Sequence, residues 1–530
     1  MRIFNLSLNH FKLYYFGLIL VAICLPISKF ALSISMLFLL SNWILEFNFK
    51  EKWNRLKSNK SILIFSGVFI VHILWLVNTK NFGYAFHDIG NKAILLLFPI
   101  IIGTSEKISK HQINVILTWF SIVVVISALI STSILTGIIN YPIQDIREIS
   151  VFMSHIRLSL LINFSIFSLA YILISKEHSL KRIESISYIL IVLWLSVFLF
   201  LLKSFTGIII FLLLVLIVSG YYSFKIKEIV PKLFLQVGLI TIFLLSASYL
   251  THSISKFYSI KKVDIDKLET HTLSGNKYSN TFEQGQIENG NYVWIYFCQK
   301  ELIKEWNSRS SIKYNEKDQQ DHVLKNTLIR YLTSKGYRKD SIGVSKLTEV
   351  DIQNIEAGIS NYIFANKYKL YPKIYEAIWE IDAYKKGFNN YGSSITQRFE
   401  FLKTASEIIK DNLWIGVGIG DVQDSFNKYY EKGDSPLPIK NRLRAHNQYV
   451  TFLLTFGIIG FIIIMFSLFY PVFILNQHNK YFVIVLMAIV LLSFLNEDTL
   501  ETQIGITFFS YFYSLFLFGY KKEIKIKEGC

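Results

Sequence analysis

Cysteine and proline are scarce in this sequence, which has three cysteines (Cys24, Cys298 and Cys530) and eight prolines in 530 residues. The cysteines lie far apart, with no CxxC pair and no Cys/His cluster at metal spacing. That pattern excludes a disulfide framework and a structural zinc site. Acidic residues are also in deficit, 38 Asp and Glu against 55 Lys and Arg, for a net charge of +17. The basic residues sit in short clusters between apolar runs, so the excess reads as membrane topology, and no nucleic-acid partner is expected. Charge of either sign is thin: 18% of residues are charged, 52% are hydrophobic and 16% aromatic. With a mean hydropathy of +0.39, an ordinary soluble globular protein is excluded.

A hydrocarbon core of about 30 Å takes roughly 20 apolar residues of helix. Twelve runs fit, from residues 14–28 at one end to 504–518 at the other; the first and the fourth, 93–103, are short. The first lacks a small-residue cleavage site and leads straight into the second, so it reads as a retained helix. With the amino terminus inside, the alternate connections at 50–60, 106–111, 176–182, 225–232 and 476–480 and the tail from Lys521 become cytoplasmic, nearly all rich in Lys or Arg. The opposite set, 78–92, 137–157 and 496–503, is poorer in both, as the positive-inside rule requires. The expectation is a bacterial inner-membrane protein in contact with the lipid bilayer, multi-pass, with both termini cytoplasmic.

One long hydrophilic segment interrupts the runs. Thr251 to Ala445 holds 29 Lys or Arg and 24 Asp or Glu, more than half of all charges in the chain. Parity makes it periplasmic. Helical patterns at 322–335, closed by Gly336, and at 350–366, with Trp294, Trp306 and Trp379 for burial, predict a folded helical subdomain. The fold class is therefore all-α integral membrane, about twelve transmembrane helices with one large, mainly helical periplasmic loop. Its parts are helices one to nine over 1–250, the loop over 251–445, helices ten to twelve over 446–520, and a basic tail over 521–530.

The chemistry gathers late in the chain. Ser393 or Ser394 can cap a helix with Ile395, Phe399, Leu402, Ile408 and Ile409 near helical spacing and Arg398 one turn before Leu402. Gly416-Val417-Gly418-Ile419-Gly420-Asp421 follows, where alternate glycines let backbone approach a partner closely. Arg442-Leu443-Arg444-Ala445-His446-Asn447 then stands at the external mouth of the tenth run. A histidine there can accept a proton near neutral pH, and adjacent guanidiniums can hold a pyrophosphate. Gly457 and Gly460 would permit tight helix packing. Glu497, Asp498 and Glu501 form an acidic cluster before the last run: a polar helix cap, or a contact to acceptor hydroxyls or to Arg398.

These residues resemble the O-antigen ligases and the polymerases that share their carboxy-terminal domain. That family carries His-Asn, Ser or Gln, nine residues, then Gly-x-x-Gly, matched by His446-Asn447 and Gly457-Ile458-Ile459-Gly460. Its Arg-x-x-x-Leu is matched by Arg398 to Leu402, and its glycine-rich segment by Leu413 to Gly418, with Gly416 and Gly418. Many members open a helix with Ser-Arg-Gly or Ser-Arg-Thr-Gly; here Lys203-Ser204-Phe205-Thr206-Gly207 places Phe205 where the arginine stands. The charge is then supplied by Lys203 or Arg157.

The resemblance implies a GT-C-like fold and transfer of a glycan from undecaprenyl pyrophosphate to an acceptor hydroxyl, the acceptor being lipid A-core, another glycan or a protein. It implies no metal and no cofactor. His446 would be the base, Arg398 its catalytic partner, and Arg157, Lys203 and Arg444 the pyrophosphate-binding cations. Asn447, Leu402, Gly416, Gly418, Gly457 and Gly460 would support them. Twelve helices also suit a transporter or flippase, but the runs carry few charges and no inverted repeat, and the polar residues gather at one external face.

Overall fold

The computed structural model describes residues 9–143, 146–175, 181–281, 286–366, 371–387, 394–433, 435–475 and 480–521. The tail from residue 522, the connections at 176–180 and 476–479, Ser393 and Cys530 lie outside the described residues. The chain forms two bodies: Met1–Glu228 with Gln397–Cys530, and Ile229–Thr396.

The first body begins with α1 (His10–Cys24), α2 (Lys29–Leu45), α3 (Phe49–Ser58), α4 (Lys60–Leu74) and α5 (Phe82–Lys92). It continues through α6 (Ile94–Thr104), α7 (Lys110–Leu135), α8 (His155–Ile174), α9 (Arg182–Leu201) and α10 (Phe205–Ser223). In the second body lie α11 (Ile229–Tyr258), α12 (Gln299–Arg309), α13 (Leu324–Ser334), α14 (Ser341–Ser345), α15 (Glu349–Glu356) and α16 (Tyr371–Lys385). The chain then passes along α17 (Ser394–Asp411) and completes the first body with α18 (Val422–Lys432), α19 (Gln448–Ile474), α20 (Lys480–Ser493) and α21 (Gln503–Leu517).

Each of the twelve apolar runs falls on a helix. Side-chain oxygens of Ser28, Ser109, Ser154, Ser204 and Thr502 accept backbone N–H groups that the first turns of α2, α7, α8, α10 and α21 would otherwise leave unpaired. By length and composition, eight of the described helices can cross a membrane, and a ninth if α2 and α3, bent by 107°, make one span. α1, α20 and α21 are apolar but shorter.

The fourth run differs from its sequence reading. Residues 78–92, which read as a connection, include α5, and Phe82–Thr104 is a 23-residue helical stretch apolar enough to cross a membrane. Asp88 and Lys92 mask this. One face of α5 buries Ala85, Asp88 and Lys92 together, so two charges that look solvated in the sequence are paired inside.

The interior of the first body is aromatic. α21 runs through it: Phe512 lies 4.6 Å from Phe164 between ring centroids, and Tyr513 stacks on Phe65 at 4.2 Å. Tyr511 and Tyr513 keep their hydroxyls satisfied by donating to the carbonyls of Leu18 and Leu468, each at 2.7 Å.

The second body is helical, as the pattern predicts, around a core with Leu302, Trp306, Leu328, Leu332 and Ile355. α13 ends at Gly336, whose φ of +72° lets the chain turn back so that Tyr337 N–H reaches the Leu332 carbonyl at 2.9 Å. The helix read over 350–366 is two pieces, α15 and a 3₁₀ turn at Tyr362–Ala365, parted at Gly358 with φ +81°. Two short strands, β1 (Ile287–Glu288) and β2 (Asn291–Tyr292), pair antiparallel across an Asn289-Gly290 turn, the dipeptide such hairpins favour.

Candidate active site

α19 is broken near its middle. Gly457 has φ 64° and ψ −172°, outside helical space, and the break frees backbone groups that must find partners in a low-dielectric surrounding. The glycine-rich segment supplies them. Val417 and Gly418 N–H donate to the carbonyls of Leu454 and Thr455, each at 3.0 Å, and Ile458 N–H donates to the Leu413 carbonyl at 2.9 Å. A Cβ on Gly457 would fall 2.3 Å from the Trp414 carbonyl, and one on Gly416 2.4 Å from that of Thr455. Gly418, at φ +91°, lies against the Asn78 carbonyl, and Asn78 Nδ2 donates to the Gly416 carbonyl at 2.9 Å. Gly460 makes room for the indole of Trp75, 2.9 Å from where its Cβ would stand. The glycines thus weave the 413–418 segment into the gap in α19.

At the start of α19, Asn447 caps the helix, accepting from Val450 N–H at 3.1 Å, and its Nδ2 donates to the Leu495 carbonyl at 3.0 Å. Gln448 N–H donates to the Phe494 carbonyl at 2.9 Å. The buried Gln448 side chain accepts from Leu500 N–H at 2.7 Å and donates to Glu501 at 3.0 Å. Thr451 Oγ1 donates to Asp498 at 2.7 Å. The connection between α20 and α21 is therefore laced to the first turn of α19, directly beside His446.

His446 has φ 48°, a left-handed conformation uncommon outside glycine and frequent at functional sites. Its half-buried ring lies 5.8 Å from that of Phe401. Burial lowers its basicity; Arg398 and Arg157 lower it further, and Glu497 opposes them. Burial raises the Glu497 carboxyl against the pull of His446, Arg157 and Arg398. These four side chains, from α8, α17, the approach to α19 and the connection before α21, share one electrostatic site.

Arg398 projects from α17 and donates to Asn496 Oδ1, whose Nδ2 donates to Thr206 Oγ1 at 3.1 Å. The Arg157 Nη1 donates to Ser154 Oγ at 3.2 Å, and its buried Nε has no partner among the described residues. α10 starts tight against α8. Ser204 donates to Ser159 at 3.0 Å, Asn163 Nδ2 to the Gly207 carbonyl at 3.0 Å, and a Cβ on Gly207 would lie 2.4 Å from the Ser159 side chain. Thr206 reaches Asn496 from this junction.

Other expected residues are placed elsewhere. Arg444 lies over the Tyr84 ring, 4.9 Å from its centroid, and donates from Nε to Gln423 at 3.4 Å. It lines a small, partly open cavity of about 10 Å³ with Asp88, Thr451 and Glu501, the size of one water. Lys203, with φ 51°, shapes the turn between α9 and α10, and its side chain makes no polar contact to His446 or Arg398 among the described residues. Leu402 is 39% exposed. α17 buries Ile408 as read, but with Phe401 and Ala405 in place of Phe399 and Leu402, so its apolar face is turned from the sequence reading over its first turns. Asp498 is pushed up to about 6, chiefly by burial and then by Glu501. Burial also pushes Glu501 up, but Lys92 and Gln448 outweigh it and hold that carboxyl at about 2.

Sequence reasoning missed Lys92, Gln448, Asn496 and Thr206. The last three carry no signal of their own, being uncharged polar residues at helix ends. Lys92 did carry one: an Asp88 one turn earlier on a helix face.

No group of three or more His, Cys, Asp or Glu is placed to hold a metal ion among the described residues. No curated protein matches the chain. A family model described as O-antigen ligase does match, over residues 357–465, a stretch that includes Arg398, the glycine-rich segment, His446-Asn447 and Gly457 to Gly460. Residues 357–465 are accordingly a domain of the O-antigen ligase family.

Proposed function

We propose that this protein is a membrane glycosyltransferase of the O-antigen ligase type, moving a glycan from undecaprenyl pyrophosphate to an acceptor hydroxyl on the periplasmic face without a metal. The observation that carries the reading is the joint placement of His446 and Glu497 with the guanidiniums of Arg398 and Arg157. The acceptor oxygen attacks the anomeric carbon while its proton passes to the imidazole of His446, a role worth about 10²–10⁴ in rate for general bases. The bond from that carbon to the diphosphate oxygen breaks, and the electron pair leaves with the diphosphate. Arg398 and Arg157 meet the charge that develops there; a preorganised donor of this kind contributes roughly 10²–10³. In-line attack inverts the anomeric configuration.

Polymerases and protein O-oligosaccharyltransferases share this donor and differ in the acceptor, so the missing product in a knockout identifies the class. The test is glycan profiling of a deletion strain carrying wild type, His446→Ala or Arg398→Ala at matched membrane levels. The expected result is accumulation of lipid-linked glycan and loss of the mature glycoconjugate with both variants. A normal profile from both would make the two residues structural and return the transporter reading.

A further inference from the structure

Arg398 and Arg157 are held differently from Lys92, the fully buried lysine of α5. Lys92 is ion-paired with Glu501 at 2.8 Å. Neither arginine makes an ion pair among the described residues: Arg157 is held by the Ser154 hydroxyl and Arg398 by the Asn496 amide. Glu497 faces both guanidiniums and Asp498 faces Arg157, but neither carboxyl is in direct ion-pair contact with either arginine among the described residues.

Both halves of the Asn496 amide are committed. A guanidinium only donates, so Oδ1 must face Arg398, and the NH₂ group then points to Thr206 Oγ1 at 3.1 Å. The backbone is fixed as well, since Asn496 N–H donates to the Ser493 carbonyl at 3.0 Å, at the end of α20. A carboxylate at this position would grip the arginine more strongly. It would also cancel the charge and have no proton to give Thr206.

We propose that Asn496 is a positioning residue that holds the Arg398 guanidinium in place while leaving its charge uncompensated for an anionic diphosphate. The inference rests on the transferase reading. Thr206 orients the amide, and Asn496 acts on the substrate only through Arg398. Glu497, Asp498, His446 and Arg157 are charged or titratable groups that face the same place.

The test measures binding of geranyl diphosphate, a short isoprenyl diphosphate, to the full-length chain in lipid nanodiscs. Asn496→Asp, with a melting temperature equal to or above wild type, should weaken binding tenfold or more. Asn496→Ala should cost only a few-fold, and nothing further in an Arg398→Ala background, because the residue works through that arginine. Thr206→Val, which frees the amide, should also cost a few-fold and keeps the test open if Asn496→Asp does not accumulate. If Arg398→Ala abolishes binding while Asn496→Asp and Thr206→Val bind like wild type, the role of Asn496 is wrong and the transferase reading stands. That role is equally excluded if the losses from Asn496→Ala and Arg398→Ala simply add. If wild type and Arg398→Ala bind the probe equally, the diphosphate reading fails, and this inference with it.

Discussion

Lys92 Nζ lies 2.8 Å from Glu501 Oε1, and the lysine is 1% exposed. This pair fastens α5 to the connection that carries Asn496, Glu497 and Asp498, and Lys92 also donates to the Leu500 carbonyl. A buried pair adds little over an apolar replacement, but removing one partner strands the other and costs about 3–5 kcal/mol. Lys92→Met should therefore lower the melting temperature of the detergent-solubilised protein markedly. Lys92→Met combined with Glu501→Gln should melt higher than Lys92→Met alone. Equal melting of the two would show that the stranded carboxylate is not the source of the loss.

Glu501 also sets an acid limit on stability. Its carboxyl is held at about 2, below its ordinary 4.5, because Lys92 and the hydrogen bonds from Lys92 and Gln448 outweigh the effect of burial. A carboxyl depressed on folding stabilises above its unfolded value, and that contribution fades as pH falls from about 4.5 toward 2. The melting temperature should fall across this window, and Glu501→Gln should flatten that part of the curve. An unchanged slope in the variant would assign the acid sensitivity to other groups.

The break in α19 depends on one residue more than any other. Gly457 at φ 64° and ψ −172° has the Trp414 carbonyl 2.3 Å from a built Cβ. Gly457→Ala meets both backbone strain, about 1–3 kcal/mol, and a clash with main chain that cannot turn aside. It should abolish accumulation in the membrane. Gly460→Ala meets the Trp75 ring at 2.9 Å and the Phe456 Cβ at 2.4 Å from a helical backbone, and should accumulate at reduced level. Immunoblots of membrane fractions give the order, and the reverse order would remove the break as the reason for the glycine.

That glycine marks where the sequence stops being readable. Apolar runs announce helices because a lipid core demands length and hydropathy, and all twelve fall on helices. Gly457 reads as a small residue for helix packing, since hydropathy continues unchanged through a break whose hydrogen bonds come from forty residues upstream. His446 and Arg398 are legible as a motif. Their relation is not, because it is made by Asn496, 98 residues from Arg398 and 290 from Thr206. Arg444, two residues from His446, looks in the sequence like part of the same cation cluster. The chain bends at His446, where φ is 48°, and the Arg444 guanidinium meets Tyr84 instead.

The pH dependence of transfer tests the assignment of the base through its neighbours. Burial lowers the His446 imidazole below its ordinary 6.5, Arg398 and Arg157 lower it further, and Glu497 raises it. The neutral form therefore persists to lower pH than in a free histidine, and kcat/KM should fall on the acid side with an apparent value under 6.5. Glu497→Gln removes the opposing charge, so the limb should move to still lower pH. Arg157→Gln removes a cation, so the limb should move up, on top of a rate loss of roughly 10²–10³. His446 and Glu497 act on each other, so the limb belongs to the pair, and the direction of each displacement is what discriminates. Opposite shifts from substitutions on α8 and on the connection before α21 require the titrating group to lie within reach of both charges. If both variants leave the limb where wild type has it, the proton is taken by a group other than His446.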